Sequence, residues 1–325
     1  MSRLSRLAAL ATGAALLATT ALAQAYPERQ ITMVVPFAAG GPTDTVGRLI
    51  AEKMSEELGQ QILIENVGGA GGTLGAQQVA DAEADGYTIL LHHIGMATAP
   101  TLYRELGFDP VEDFAPVGLV TEVPMTIVAR ADFEPADMAS FVTYVQENAD
   151  TITLANAGIG AASHLCGMLL MQALDAPIVT VPYRGTGPAM TELVGGQIDI
   201  MCDQTTNTTE QIRGGTIKAY AVTSPERLEI FPDLPTTAEA GLPNTEVSVW
   251  HGIYAPAGTP QEAVDRLSAA LQTALADPEV AERLAELGTA PSPAEDATPE
   301  ALETRLTEEI ERWRPVIEEA GVYAD

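Results

Sequence analysis

The chain has 325 residues, 46% hydrophobic and 19% charged, enough apolar surface for two cores of ordinary size and too much for a disordered polymer. Sixteen Lys and Arg against 45 Asp and Glu leave a formal net charge of -29, so no broad positive face exists to neutralise a nucleic-acid backbone. DNA and RNA are excluded as partners, and the acidic, lysine-poor surface reads as a solubility device with no function attached.

In chain order, Arg3 and Arg6 precede an Ala/Leu-rich stretch from Leu7 to Leu17, and Thr19-Thr20 leads into Ala21-Leu22-Ala23. This pattern is a secretory signal peptide over residues 1–25, cleaved after Ala23, or after Ala25 if Ala23-Gln24-Ala25 is the site. The apolar part is too short for the roughly 20 residues a bilayer requires, and no later stretch is long and apolar enough to span one. A periplasmic location follows. Export exposes Cys166 and Cys202 to an oxidising compartment, where an even count allows one bridge. Their segments read as a helix and a neighbouring strand, so contact is feasible, but the balance falls on two buried unpaired thiols. Two Cys and four His form no ligand-spaced cluster, so neither a metal nor another cofactor is expected.

Ile31 to Phe37 predicts a buried strand, followed by a small-residue turn and a helix from Asp44 to Leu58 with Val46, Leu49, Ile50, Met54 and Leu58 on one face. Ile62 to Asn66 is the next strand, Gly68-Gly69-Ala70-Gly71-Gly72 opens a helix through Ala82, and Tyr87 to His92 is a third strand. Met125 to Ala129 reads as a strand crossing into a second block. In that block Thr151 to Asn156, Ile178 to Pro182, Ile198 to Cys202 and Ile217 to Val222 alternate with helix-length segments. After the strand Thr245 to Tyr254 come three helices. Thr259-Pro260-Gln261-Glu262 reads as a capping box for the first, and Asp277-Pro278 and Thr298-Pro299 start the others, the last with Pro315 in its interior. The outline is α/β: residues 26–126 and 225–325 form one lobe, residues 127–224 a second lobe inserted in the first, with a cleft between them.

Four small-residue turns feed helix starts: Phe37 to Asp44, Gly68 to Thr73 with Gly71, Gly158 to His164, and Arg184 to Pro188. A helix start presents N–H groups without internal partners and about half a positive charge, which suits a carboxylate or phosphate. Such turns often serve tight geometry alone, but four of them split between two lobes point to donors on both cleft walls. A charge-assisted hydrogen bond in a closed cleft is worth roughly 1.5–3 kcal/mol, whereas exposed charges are screened over about 8 Å, so local donors outweigh the acidic surface.

Tyr26-Pro27-Glu28-Arg29-Gln30-Ile31, Val35 to Asp44, Gly69-Ala70-Gly71-Gly72, Asp85-Gly86-Tyr87-Thr88, Pro182-Tyr183-Arg184-Gly185 and Ala255 to Pro260 together resemble the tripartite tricarboxylate transporter substrate-binding proteins, the Bug or TctC family. The resemblance runs from Tyr26 to near the C-terminus. It implies a two-lobed periplasmic binding protein of the type II, Venus-flytrap kind, a monomer that captures a small organic acid and delivers it to membrane permease subunits. It also implies ligand contacts from Phe37, Ala39, Gly40, Gly41, Thr43 and Asp44 in the first lobe and from Gly160, Ala161, Ser163, His164, Arg184, Gly185, Thr186 and Asp203 in the second. Where relatives carry small polar residues after the third strand, this chain has His92-His93-Ile94-Gly95-Met96, so His93 facing the cleft would alter which ligand end fits.

Several of these residues have structural alternatives. Arg184 suits either a ligand carboxylate or a local acid, and Asp203 either a ligand hydroxyl or ammonium or a helix cap. Asp44 most simply caps the first helix, and Trp250 and Tyr254 read as core. Two other functions use the same features: presentation of the ligand to a membrane sensor kinase, and catalysis. Against catalysis, Ser163 and His164 are adjacent and no Gly-x-Ser-x-Gly elbow is present.

Overall fold

In a computed structural model, residues 26–324 are described, and the signal-peptide reading of residues 1–25 lies outside them. The chain opens with β1 (Ile31–Val35), α1 (Pro42–Leu58), β2 (Ile62–Asn66), α2 (Thr73–Ala80), β3 (Thr88–His93) and α3 (Gly95–Leu102). β1 pairs in parallel with β2 and β3, the register of strand–helix–strand crossovers. Helix α1 begins two residues earlier than expected. Pro42 needs no N–H donor in the first turn, and the extended backbone at Gly41 serves as N-cap. Asp44 therefore lies inside the helix and does not cap it.

The seventeen-residue strand β4 (Phe114–Arg130) is the spine of the molecule. Residues 114–124 pair antiparallel with β9 (Ser248–Pro256), which also pairs with β3. Residues 125–130 then pair antiparallel with β7 (Ile200–Gln204) and β8 (Ile217–Val222). The sheet continues from β7 to β5 (Thr153–Asn156) and β6 (Val179–Pro182), both parallel. One strand thus belongs to two half-sheets. The expected Met125–Ala129 strand is only its far end. Two-residue alternation puts Ile127 and Ala129 into one core, with Phe141 and Tyr220, and Val128 into the opposite one, with Met190 and Met201.

Helices α4 (Met138–Asn148), α5 (Ala162–Leu174), α6 (Thr186–Val194) and α7 (Thr205–Arg213) cover the second half-sheet. After β8 the chain stays with that half: Thr237 N–H bonds to Val222 O, and Leu242 packs in the core of Phe141 and Tyr220. It returns near Val247, whose N–H bonds to Thr223 O. Helices α8 (Gln261–Leu275), α9 (Pro278–Glu286) and α10 (Pro299–Ala320) then pack on the first half. Asp277 and Thr298 cap α9 and α10 as expected. The capping box at Thr259 does not form. Pro260 occupies the N-cap, and the Thr259 hydroxyl donates instead to Pro256 O. Trp250 and Tyr254 are both 1% exposed, inside the core.

Cys166 of α5 and Cys202 of β7 form a disulfide, in place of the two thiols the sequence favoured. The packing of helix on neighbouring strand holds their Cα atoms 6.0 Å apart, inside the range a bridge requires. The bridge closes a loop of 36 residues that contains β6 and α6. Replacing both cysteines by alanine is expected to lower stability by about 2–4 kcal/mol. A thermal melt checks this, and dithiothreitol added to the unaltered protein should reproduce the drop. An unchanged melting temperature in both would show that the bridge contributes nothing.

Candidate functional site

Four helices, α1 from the first half and α5, α6 and α7 from the second, start at one point where the half-sheets meet. Their N-caps are Gly41, Ala161, Gly185 and Gln204, and none makes a side-chain capping hydrogen bond. The first turns of α5, α6 and α7 contain no acidic residue. Free amides, and about half a positive charge per helix, are thus directed at one location. The cavity there is lined by Phe37, Pro42, Thr43 and His93 on one side and by Ala157, Ala161, Ala162, Ser163, Thr186, Asp203 and Gln204 on the other. It leaves room for about one water molecule, some 10 Å³. The two walls are shut on each other.

The seam around it is held by hydrogen bonds onto backbone carbonyls of the second half. Ala38 N–H donates to Arg184 O at 2.9 Å, Thr98 Oγ1 to Gly160 O at 3.0 Å, and Tyr103 Oη to Ile159 O at 2.8 Å. Glycines allow this approach. A Cβ at Gly187 would stand 2.9 Å from Gly41 N, and one at Gly71 would overlap Ile159 O at 1.9 Å.

The predicted site residues divide accordingly. Phe37, Thr43, His93, Ala161, Ser163, Thr186 and Asp203 line the cavity, with Gly41 and Gly185 as the caps of its helices. Gly40 sits at positive φ on the exposed side of the turn beside exposed Ala39, and its N–H donates to Asp44 Oδ2. Asp44 is fully committed. Burial pushes its pKa up, but hydrogen bonds from Arg48, Gly40 and Asn66 outweigh this and hold it below the usual carboxylate value. Gly68, Gly69 and Ala70 line an outer groove with Tyr103, Ile159 and Tyr183, and Gly71, itself buried, faces Ile159 O. Arg184 is exposed on that groove, and among the described residues it makes no ion pair. It contributes its carbonyl to the seam. Gly160 gives the carbonyl that Thr98 reaches, and His164, behind it, faces the Gly160 N–H at 3.4 Å.

Sequence reasoning missed Pro42, Ala157, Ala162, Gln204 and the supporting His251. Strand β7 runs directly into α7 at Gln204 with no intervening glycine, so a search for glycine-rich turns passes over it.

Burial dominates the electrostatics. His93 stacks on Phe37 with centroids 4.6 Å apart, and His251 lies edge-on to His93 at 5.9 Å. Nδ1 of His92 accepts the His93 N–H at 2.7 Å and Nδ1 of His93 accepts the Gly95 N–H at 2.9 Å, so both rings are held neutral with the proton on Nε2. Desolvation pushes His92 and His251 down to about 3 and His93 well below its usual value. Asp203 is raised to about 6 by burial, against the pull of hydrogen bonds from Asn207 and Gln204. It does not cap α7, whose N-cap is Gln204. No metal-binding cluster occurs among the described residues. No described helix is long and apolar enough to cross a membrane.

A curled mixed sheet in two halves, closed over a buried cavity ringed by helix starts, is the α/β periplasmic binding protein fold, two-lobed with the second lobe inserted in the first. The chain superimposes on the solved structure of the periplasmic binding protein BugD with a TM-score of 0.91 and 53% identity, covering 92% of this chain and 100% of that one. It matches MatC of Rhodopseudomonas palustris with bound malate at a TM-score of 0.87 and 45% identity, over 90% and 100% of the two chains. Among curated sequences, the UPF0065 protein in the TAR-I ttuE-ttuC' intergenic region of Agrobacterium vitis is 54% identical, over 98% of this chain and 92% of that protein. The model of the tripartite tricarboxylate transporter family receptor matches residues 46–322, and the chain belongs to that family.

Proposed function

We propose that this chain is a periplasmic receptor for a small organic carboxylate, a di- or tricarboxylate or an aromatic acid, delivered to the membrane permease of a tripartite tricarboxylate transporter. The observation that carries it is the convergence of four uncapped helix N-termini on one buried cavity. An anion there takes donors that otherwise have none. The bound malate of the MatC relative supports the same class. Residues 26–126 and 243–324 act as one lobe and residues 127–242 as the other, the boundary expected at 224 lying further on because the segment through Leu242 packs in the second core. The signal peptide is removed near Ala23 or Ala25, and the receptor works as a monomer.

Binding proceeds by hinge closure. The room between the walls is far smaller than a dicarboxylate, so the lobes part, the ligand meets one set of amides, and the second set closes over it and excludes water. The non-catalytic reading is supported by Ser163 and His164. The Ser163 hydroxyl accepts the Ala157 N–H, and His164 Nδ1 faces the Gly160 N–H, so the two form no nucleophile–base pair.

Calorimetric titration of the purified protein with malate, citrate, benzoate, glucose and putrescine tests the class. Micromolar affinity for at least one acid, about 8 kcal/mol, is expected. Binding of the sugar or the amine with none of the acids would reverse it.

A further inference from the structure

This inference rests on the hinge-closure reading of the receptor and deepens it by naming what holds the closed form shut. Two of the hydrogen bonds across the seam come from side chains at one place on the first lobe, helix α3 and the residue that follows it. Thr98 Oγ1 donates to Gly160 O at 3.0 Å and Tyr103 Oη to Ile159 O at 2.8 Å. The acceptors are consecutive carbonyls of the loop that runs into Ala161, the N-cap of α5. Gly158 and Gly160 bend that loop at positive φ, 100° and 85°, and a Cβ at Gly160 would stand 3.1 Å from Leu102 Cδ1, so α3 lies directly on it. Neither Thr98 nor Tyr103 lines the central cavity. Thr98 is fully buried, whereas Tyr103 is half-buried on the outer groove, its oxygen beside the Thr73 hydroxyl.

Tyr103 is itself held by the last residues of the chain. Helix α3 ends at Leu102, whose carbonyl has no partner within the helix, and the Ala324 N–H donates to it at 2.8 Å. Tyr103 then leaves the helix in an extended conformation, φ -101° and ψ 116°, and forms a parallel bridge with Ala324. Val322 packs against the core that contains Leu102. The tail thus fixes the direction in which the Tyr103 ring points at the second lobe. We propose that Tyr103 is an interlobe latch, positioned by the C-terminal tail, that slows the escape of a bound acid without taking part in its capture. The donors sit on one lobe and the acceptors on the other, so these bonds exist only when the walls meet. An acid entering the open cleft does not meet them, and an acid leaving it must wait until they break. A hydrogen bond of ordinary net strength changes the ratio of closed to open form by about 2- to 10-fold.

Stopped-flow kinetics with malate, or with citrate or benzoate where malate does not bind, reads capture and escape separately. Tyr103→Phe should raise the dissociation rate by about 3- to 10-fold and leave the association rate within about twofold. A chain ending at Tyr323, which loses the Ala324 donor, should shift the same rate in the same direction. Combined with Y103F it should add little, because the tail acts through the ring. If the shortened chain does not fold, Ala324→Pro removes the same N–H and takes its place. An unchanged dissociation rate in Y103F, or an association rate slowed as much as dissociation is hastened, would overturn the latch while the carboxylate reading stands. A tail effect that adds in full to Y103F would overturn the positioning role of the tail. Binding of no acid in the panel ends the carboxylate reading, and the latch is then decided by hydrogen exchange at the Ala38 amide, which is bonded across the seam to Arg184 O. Faster exchange there in Y103F supports the latch, and equal exchange overturns it.

Discussion

Acidification from pH 7 to pH 4.5 is expected to remove on the order of 5 kcal/mol from the stability of the ligand-free protein. The cause is the buried imidazoles at the cavity. His92 and His251 are pushed down to about 3 in the folded chain, whereas an unfolded histidine titrates near 6.5. Between those limits the unfolded state binds more protons than the folded one, so the stabilisation is complete above about pH 6.5 and is lost as pH falls. Each of these two contributes about 2–3 kcal/mol over that range, and His93, also pushed down, acts in the same direction. His164, at about 4, adds to it. Asp203 opposes them. Its folded pKa of about 6 lies above the unfolded value, so the protonated form favours folding and returns about 2 kcal/mol as pH drops. Urea unfolding at pH 7.5, 6, 5 and 4.5 measures the balance. His251→Gln should flatten the slope by up to one proton, about 1.4 kcal/mol per pH unit. A midpoint that stays level or rises toward acid would show that the rings are not held neutral.

The parts of the fold legible in the sequence were those in which local chemistry and tertiary role agree. The strands at Ile31–Val35 and Ile62–Asn66 are short apolar runs with small-residue turns behind them, and turn and strand mark the same boundary. Strand β4 was legible only at its far end because Pro116, Gly118 and Pro124 read as breakers. The ladder tolerates them. The register shifts between Pro116 and Gly118, and Pro124 stands where β4 leaves β9 for β7 and β8. Such sites depend on which strand lies alongside, which no local window contains. Helix α3 was missed for a related reason, since Gly95 and Pro100 argue against a helix that its place between β3 and the core enforces.

The cavity was legible by the same rule. Glycine at Gly41 and Gly185 marks a turn where backbone must be approached, and both caps were found. His251 was not, because its neighbour Thr43 is 208 residues away in sequence. Gln204 ends strand β7 and leads straight into α7, with no turn residue to announce it. Asp44 shows the opposite failure. A carboxyl near a helix start reads as a cap, and only the assembled loop reveals three donors already claiming it.

Enlarging Gly187 is expected to lower ligand affinity by 100-fold or more while leaving the ligand-free protein as stable as before or slightly more so. Gly41, the N-cap of α1 on the facing wall, is a milder place for the same change. A Cβ there would meet Gly187 N at 3.3 Å, a contact that a small shift relieves. The facing residue is the sharper test. A Cβ at Gly187 would stand 2.9 Å from Gly40 C, 2.9 Å from Gly41 N and 3.0 Å from Ala39 O, all backbone of the opposite wall. None of these can swing aside as a side chain would. Gly187 lies in the first turn of α6 and is not among the residues at positive φ, so Leu or Ala there keeps the local conformation and gains up to about 1 kcal/mol of helix propensity. The lobe carrying the substitution therefore folds, and only the approach of the two walls is blocked. Stability and binding move in opposite directions, which separates a closure defect from a folding defect. Calorimetry with the bound acid, run beside thermal melts of Gly187→Ala and Gly187→Leu, supplies both readouts. Full affinity in the leucine variant would show that the ligand does not need the walls to meet at this seam. A large fall in the ligand-free melting temperature would show that Gly187 serves the fold of α6 rather than the closing of the cleft.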